Sequence, residues 1–170
     1  PESLLAYLDK SAINLFENLN VFSSVELHAR CQVDMQSYIS EIQIESRTLG
    51  DMSLNHIIPT AIKYQNILIK NVKGIKDIFG EKFKSQANDQ LIILEEISDH
   101  IKKIINGVDQ MVLARKNANK IEDVNKKAMA YASNVIPYLD EIRDHCDKLE
   151  LTIDDSIWPL AKYRELLFIR

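Results

Sequence analysis

The sequence contains few of the residues that build turns and cross-links. Glycine and proline occur four times each among 170 residues, a combined share of about 5% where roughly 12% is usual. Few tight turns can be built from that supply, so long regular elements are expected. Cys31 and Cys146 are the two cysteines, too few and too far apart for the disulfide framework of a small secreted domain. Both are therefore expected to be reduced.

Positive charge and long apolar runs are also scarce. Lys and Arg number 21 against 25 Asp and Glu, a net charge of −4, which argues against a nucleic-acid partner. No apolar run approaches the roughly 18 residues of a membrane span. No basic and apolar leader follows Pro1, so we expect a cytoplasmic protein, either a processed chain or a fragment. The hydrophobic share of 46% indicates a folded chain.

Apolar residues recur at spacings of three and four through most of the chain, which predicts an all-α fold. The first helix is expected over about 2–19 and a much longer one over 23–79. Ser23 and Glu26 have the spacing of a capping box at the start of the long helix. Pro59 is expected to kink this helix rather than end it, because the apolar pattern resumes at once. Gly80 is expected to close it.

Two further helices follow in the prediction. The third covers about 85–118, with Ser85 or Asn88 as its cap, and contains Gly107, a glycine that would allow a close helix approach. The fourth begins at a capping box of Asn119 and Glu122 and runs to about 151. Pro137 is expected to kink it.

These elements predict an elongated antiparallel helical bundle with one very long helix kinked near Pro59. The whole chain, 1–170, is expected to be a single helical domain: a helical hairpin over 1–45, a three-helix bundle over 46–150 and a C-terminal tail over 151–170. The third helix is shorter than the second, so residues 23–45 should face only the first helix and leave an apolar surface. Trp158 is expected to be largely buried and to hold the tail, whose apolar side includes Tyr163 and Leu166.

Sites for nucleotides or metals are not indicated. The stretch 74–82 has the wrong glycine spacing for a phosphate-binding loop, and no hydroxyl residue follows Lys82. A di-iron bundle needs Glu three residues before two of its histidines. The residues at that place are Val25, Ser53, Ile97 and Ile142. A zinc site would require His28 and Cys31 to meet His145 and Cys146, a demanding convergence.

Catalytic groups are not indicated either. His145 and Cys146 are adjacent in sequence, so on a helix they point about 100° apart and cannot act as base and nucleophile. Acid pairs such as Glu95 and Asp99 are typical of solvated helix faces. The basic stretch 115–127 most simply solvates a connection between helices. We therefore predict no catalytic, cofactor-binding or metal-binding residue in this chain.

Four segments resemble the C-terminal region of type III glutamine synthetases, the bacterial class with large subunits. They are 21–30 (VFSSVELHAR), 55–65 (NHIIPTAIKYQ), 137–150 (PYLDEIRDHCDKLE) and 158–168 (WPLAKYRELLF). The segments span nearly the whole chain in the order of the family. Ala161 is a departure, since the family is expected to have a second proline there, which affects only the rigidity of the tail.

The resemblance implies that the chain is a fragment of a longer subunit with a structural, oligomer-shaping role. The parent would ligate ammonia to glutamate with ATP and Mg²⁺ or Mn²⁺, in the cytoplasm, as stacked hexameric rings. Its ATP, metal, glutamate and ammonia sites would lie upstream, so no residue of the family's active site maps onto this sequence. Its partners would be its own catalytic domain and sister subunits. A free-standing helical adaptor that binds a partner helix is the alternative.

Overall fold

Helices make up most of the described chain. The computed structural model describes residues 1–162, 165 and 167, and no strand occurs among them. The helices are α1 Glu2–Leu5, α2 Lys10–Asn18, α3 Ser24–Met52, α4 Ile58–Phe79, α5 Phe83–Asn119, α6 Val124–Asn134 and α7 Ile136–Thr152. The all-α class is confirmed. Tyr163 and Leu166, the residues expected on the apolar side of the tail, lie outside the described residues.

The first predicted helix, 2–19, is wrong as a single element. It consists of α1, a 3₁₀ turn over Ala6–Leu8, and α2, with Asp9 in an extended conformation (φ −66°, ψ 143°) between them. None of residues 1–22 is buried, so little packing opposes a break, and short helices without packing are only marginally stable. The apolar spacing continues across Asp9, which is why periodicity did not reveal the interruption.

The start of the long helix is confirmed as a capping box. The Ser23 backbone N–H donates to Glu26 Oε2 at 2.8 Å, and the Glu26 N–H donates to Ser23 Oγ at 3.3 Å. These two bonds satisfy two of the donors that a helix leaves free at its first turn. The bond from the Ser23 backbone is the main cause that lowers the pKa of the Glu26 carboxyl below its usual 4.5.

The irregularity expected near Pro59 is a π turn over Ser53–Ile57, between α3 and α4. The Ile58 N–H donates to the carbonyl of Ser53, five residues back. In a regular α-helix the ring of Pro59 would clash with the carbonyl of Asn55. A wider π turn just before the proline shifts the bonding register, and Pro59 then occupies the first turn of α4, where a missing N–H costs little.

The end of α4 was predicted correctly, whereas the start of α5 was not. Gly80 closes α4 as expected, with φ at +55°, a region that favours glycine. The third predicted helix starts earlier than expected, at Phe83. Ser85 does not cap it, because its Oγ donates to the Lys82 carbonyl at 2.9 Å. Gly107 allows the expected close approach: a Cβ there would lie 2.9 Å from Ile142 Cγ1.

The fourth predicted helix is wrong as a single element, because α6 and α7 are separated at Val135. Its cap is Asp123, whose Oδ1 accepts a 2.7 Å bond from the Lys126 N–H, rather than Asn119. Pro137 stands in the first turn of α7. A proline is tolerated there because the first turn has no use for its N–H, so the proline marks a new start instead of a kink.

The described residues group into two compact units. The first unit comprises Pro1–Thr48 with Asp109–Asp140, and the second comprises Leu49–Val108 with Glu141–Arg170. Buried side chains of the first unit come from α3, α5, α6 and the α6–α7 junction: Leu27, Cys31, Met35, Ile39, Ile42, Ser46, Met111, Ala118, Ala128, Tyr131 and Val135. The expectation that residues 23–45 face only the first helix is wrong, since Gln43 bonds Asn119 of α5 and Tyr131 of α6. The division into 1–45, 46–150 and 151–170 stays a prediction.

Buried side chains of the second unit come from the π turn, α4, α5, α7 and the residue that follows α7. They are Ser53, Ile57, Ile58, Thr60, Ala61, Ala87, Ile97, Ile104, Val108, Ile142, His145, Cys146, Leu149 and Ile153. Trp158, also in this unit, keeps only a minor part of its surface exposed, and its indole N–H is enclosed without a hydrogen-bond partner. This agrees with the expected burial, and the anchoring of the tail stays a prediction.

Candidate functional site

The residues considered for zinc lie in two different units. His28 and Cys31 belong to the first unit, and His145 and Cys146 to the second. The His28 Nδ1 lies 2.8 Å from the Ser24 carbonyl one turn back on its own helix. Within the described part of the chain, no three His, Cys, Asp or Glu side chains are grouped so as to hold a metal ion.

Both cysteines are buried thiols, and each lies close to one polar atom. The Cys31 Sγ donates to the Leu4 carbonyl at 3.4 Å, and the Cys146 Sγ lies 3.6 Å from Ser53 Oγ. Burial is the main cause that raises the pKa of each thiol above its usual 9.0. A thiol with a raised pKa is a poor nucleophile near neutral pH, so both cysteines act as small packing residues.

The adjacent His145 and Cys146 face different partners. The His145 Nδ1 lies 3.2 Å from the Nδ1 of His100 on α5, whereas the Cys146 thiol contacts Ser53 of the π turn. This divergence agrees with the 100° step between neighbours on a helix. The arrangement supplies no base for the thiol. No local pattern indicates the histidine pair, because its members are 45 positions apart.

Acidic residues of α7 and of the segment that follows it make local contacts. Asp144 lies 2.5 Å from Lys148 one turn along α7, and this bond is the main cause that lowers the pKa of its carboxyl. Asp154 accepts a 2.7 Å bond from the Ser156 N–H, and Asp155 is bonded by Lys162. These contacts are typical of surface helices and turns.

A polar cluster in the first unit was missed by the sequence analysis. The Tyr131 hydroxyl, fully buried, donates to Asn119 Oδ1 at 2.8 Å and accepts from Gln43 Nε2 at 2.8 Å. Gln43 Nε2 also donates to Asn119 Oδ1 at 2.7 Å. Nearby on the same helices, Arg115 donates to Ser46 Oγ at 3.2 Å. Such bonds satisfy buried polar atoms and fix which helix positions stand opposite each other.

The start of the first unit carries an apolar surface that the unit itself leaves open. Its members are large side chains that are at least half exposed: Tyr7 (50%), Leu15 (56%), Leu19 (62%), Val21 (52%) and Val25 (78%). We call these five residues the N-terminal apolar surface. Large apolar side chains left in water forgo favourable burial, so this segment is a candidate for contact with another surface.

Aromatic rings hold this segment to α3. The rings of Tyr7 and Phe16 have centroids 6.3 Å apart, those of Phe16 and Phe22 are 5.9 Å apart, and the Arg30 guanidinium lies 4.4 Å above the Phe22 ring. The contacts line a cavity of about 350 Å³ beside Cys31. Aromatic and cation–π contacts of this kind stabilise by about 0.5–1.5 kcal/mol each.

Together, these features define the class: an all-α domain with exposed apolar side chains near its start, in whose described residues no group of His, Cys, Asp and Glu side chains could hold a metal ion. None of the helices described is long and apolar enough to cross a membrane. Residues 1–76 match the family model of the glutamine synthetase C-terminal domain. The expected resemblance to the C-terminal region of type III glutamine synthetases is confirmed by this match and by the relatives of the chain.

Three curated relatives are similar over nearly the whole chain. A glutamine synthetase of Bacteroides fragilis is 44% identical over 171 aligned residues, which cover 100% of this chain and 24% of the relative. A type-3 glutamine synthetase of Dictyostelium discoideum is 29% identical over 100% of the chain and 23% of the relative. A glutamine synthetase of Butyrivibrio fibrisolvens is 21% identical over 99% and 24%. The chain thus spans about a quarter of the length of these relatives.

Proposed function

We propose that this chain is the non-catalytic C-terminal domain of a type III glutamine synthetase that ligates ammonia to glutamate with ATP and Mg²⁺ or Mn²⁺. The observation that carries the proposal is the similarity to a glutamine synthetase, which is 44% identical over the whole of this chain. The chain spans only 24% of the length of that relative. Three quarters of such a protein lie outside this chain, and the ATP, metal and substrate sites are assigned to that part. The parent is a cytoplasmic homo-oligomer in this proposal.

The role assigned to the chain is structural: it packs on the catalytic part of its own subunit or on a sister subunit in a ringed assembly. The N-terminal apolar surface supports this role. Leu15 and Leu19 are 56% and 62% exposed on and just after α2. Leaving such side chains in water forgoes about 25 cal/mol for each Å² that a partner could cover, so a contact in the assembled enzyme stabilises both sides.

The experiment uses the full-length protein with Leu15→Asp and Leu19→Asp together. A charge placed in an apolar interface is costly to bury, so we expect smaller assemblies by light scattering and at least about a tenfold loss of glutamine formation. Asn18→Asp is the matched control, because it adds a negative charge to an exposed polar position of the same helix. It should leave both readouts unchanged.

Activity and ATP-binding measurements on the isolated chain test whether catalysis belongs to the rest of the protein. The 170-residue chain alone should form no glutamine and show no saturable ATP binding by calorimetry in the presence of Mg²⁺. The leucine double variant should also keep the unfolding midpoint of the isolated chain, since neither residue is buried in it. An unchanged assembly and activity in the full-length variant would refute the contact, and glutamine formation by the chain alone would refute the non-catalytic role.

A further inference from the structure

Two histidines face each other between α5 and α7 of the second unit. The Nδ1 atoms of His100 and His145 are 3.2 Å apart, and the ring centroids are separated by 5.2 Å with an interplanar angle of 41°. His145 is 9% exposed and His100 is half-buried. The pair is a direct side-chain link between the two helices, beside the close approach of Gly107 to Ile142.

The protonation state decides whether this link exists. A hydrogen bond between two Nδ1 atoms needs one ring that carries the proton there and one that offers a lone pair. The pair can satisfy this while neutral, and also with a single positive charge. When both rings are protonated, two N–H groups point at each other and neither atom can accept. The second proton therefore turns an attraction into a contact between like charges.

The charges around the pair come from both helices. On α5 these are Lys103 and Glu96, and on α7 they are Glu141, Asp144 and Lys148. Burial is the largest cause that lowers the pKa of each histidine below its usual 6.5, and the two lysines act in the same direction.

Counter-charges at the pair are weak. The Asp144 carboxylate lies 3.9 Å from His145 Nδ1, but it is 57% exposed and already bonded to Lys148, so solvent screens its effect. From the π turn, the facing polar group is Ser53, which contacts the Cys146 thiol. That thiol stays neutral near pH 7, because burial raises its pKa. The carboxylates of Glu96, Glu141 and Asp144 favour the protonated rings, but they do not outweigh burial and the two lysines, since the pKa of each histidine is lowered overall.

We propose that His100 and His145 form a pH-sensitive latch that holds α5 to α7 near neutral pH and opens when both rings are protonated. The folded state takes up protons less readily than the unfolded state, so stability of the second unit is full above about pH 6.5 and falls as the pH drops below it. The first unit lacks this pair, and its stability should not follow the same curve. The inference does not depend on the enzyme to which the chain belongs.

Trp158, the one tryptophan of the sequence, lies in the second unit and gives a selective readout. We expect its fluorescence in urea titrations of the 170-residue chain to show an unfolding constant that rises about tenfold from about pH 7.5 to about pH 5. His100→Gln should remove at least half of this rise on a logarithmic scale. His56→Gln is the matched control, since His56 is exposed in the same unit, and it should keep the full rise.

Ring ¹⁵N spectra of the unmodified chain test the proposal without any variant. We expect one ring with its proton on Nδ1, the other with its proton on Nε2, and coupled two-step titration of the two rings. In His100→Gln, His145 should titrate in one step. Independent one-step titration in the unmodified chain would overturn the latch. So would an equal pH dependence of unfolding in the unmodified chain and in His100→Gln.

Discussion

The helices α4 and α5 are packed very differently at the two ends of the second unit. At the base, which comprises 49–61, 97–108 and α7, apolar side chains of all three helices are buried, among them Ile58, Ala61, Ile97, Ile104 and Ile142. At the tip, residues 62–96, Ala87 alone is buried, and Ile62, Ile67 and Ile92 are 45%, 52% and 47% exposed. The helices are the same, so the difference comes from the presence of α7 at the base.

Two helices cannot surround each other, because each apolar stripe is about 100° wide or more and a single neighbour covers only part of it. Residues 23–45 were expected to have a single neighbouring helix, but Gln43 bonds both α5 and α6 there. The pair of helices without a third neighbour lies instead at the tip. The tip relies on polar bonds between helices, such as Asn71 Nδ2 to Gln90 Oε1 at 2.7 Å. We therefore expect the tip to open locally at a lower free energy than the base.

The largest expected difference in stability is between alanine variants of two isoleucines on α5. Ile97 is fully buried at the base and Ile92 is 47% exposed at the tip. Ile97→Ala should lower the free energy of unfolding by about 2–5 kcal/mol, because it leaves a cavity, and Ile92→Ala by less than about 1 kcal/mol. Urea titrations followed by Trp158 fluorescence measure both. Equal losses would show that the tip is as well packed as the base.

Substituting alanine for a glycine should lower stability at the base and raise it at the tip. A Cβ at Gly107 would meet Ile142 Cγ1 at 2.9 Å, whereas a Cβ at Gly74, on the α4 side of the tip, would meet nothing within 4 Å. Gly107→Ala should cost about 1–3 kcal/mol through overpacking of a fully buried neighbour. Gly74→Ala should raise stability by up to about 1 kcal/mol, because alanine favours the helix. Thermal unfolding of the two variants gives the signs, and a stabilising Gly107→Ala would contradict the close approach.

The sequence predicted the features that are set within a few residues. The capping box of Ser23 and Glu26 and the stop at Gly80 were found because their rules span one helical turn. The breaks at Asp9 and Val135 were missed, since apolar spacing runs across both and the proline at 137 pointed to a kink instead. Backbone conformation there depends on what packs nearby, which local spacing does not encode.

Rules that span one helical turn could not predict contacts between distant segments. Gln43 and Tyr131 bond across 88 positions, and His100 and His145 across 45. Local spacing treats Tyr131 and the two histidines as separate helix positions and does not indicate their partners. The absence of a catalytic set was argued from missing motifs, and it stays a prediction about the whole chain.

The smallest effect concerns the polar bonds of the tip. Gln65 Nε2 donates to Ser98 Oγ at 2.8 Å and to the Leu94 carbonyl at 3.3 Å. Gln65→Ala removes both bonds, and since glutamine and alanine have similar helix propensities, the loss should be about 0.5–1 kcal/mol. Lys70→Ala, at an exposed position of the same helix, should change stability by less than about 0.5 kcal/mol. Hydrogen exchange should locate the change: amides of 66–94 should exchange faster in Gln65→Ala while those of 97–108 stay protected. Uniformly faster exchange in both stretches would mean that α4 and α5 open as one unit and that the contrast between base and tip is one of exposure alone.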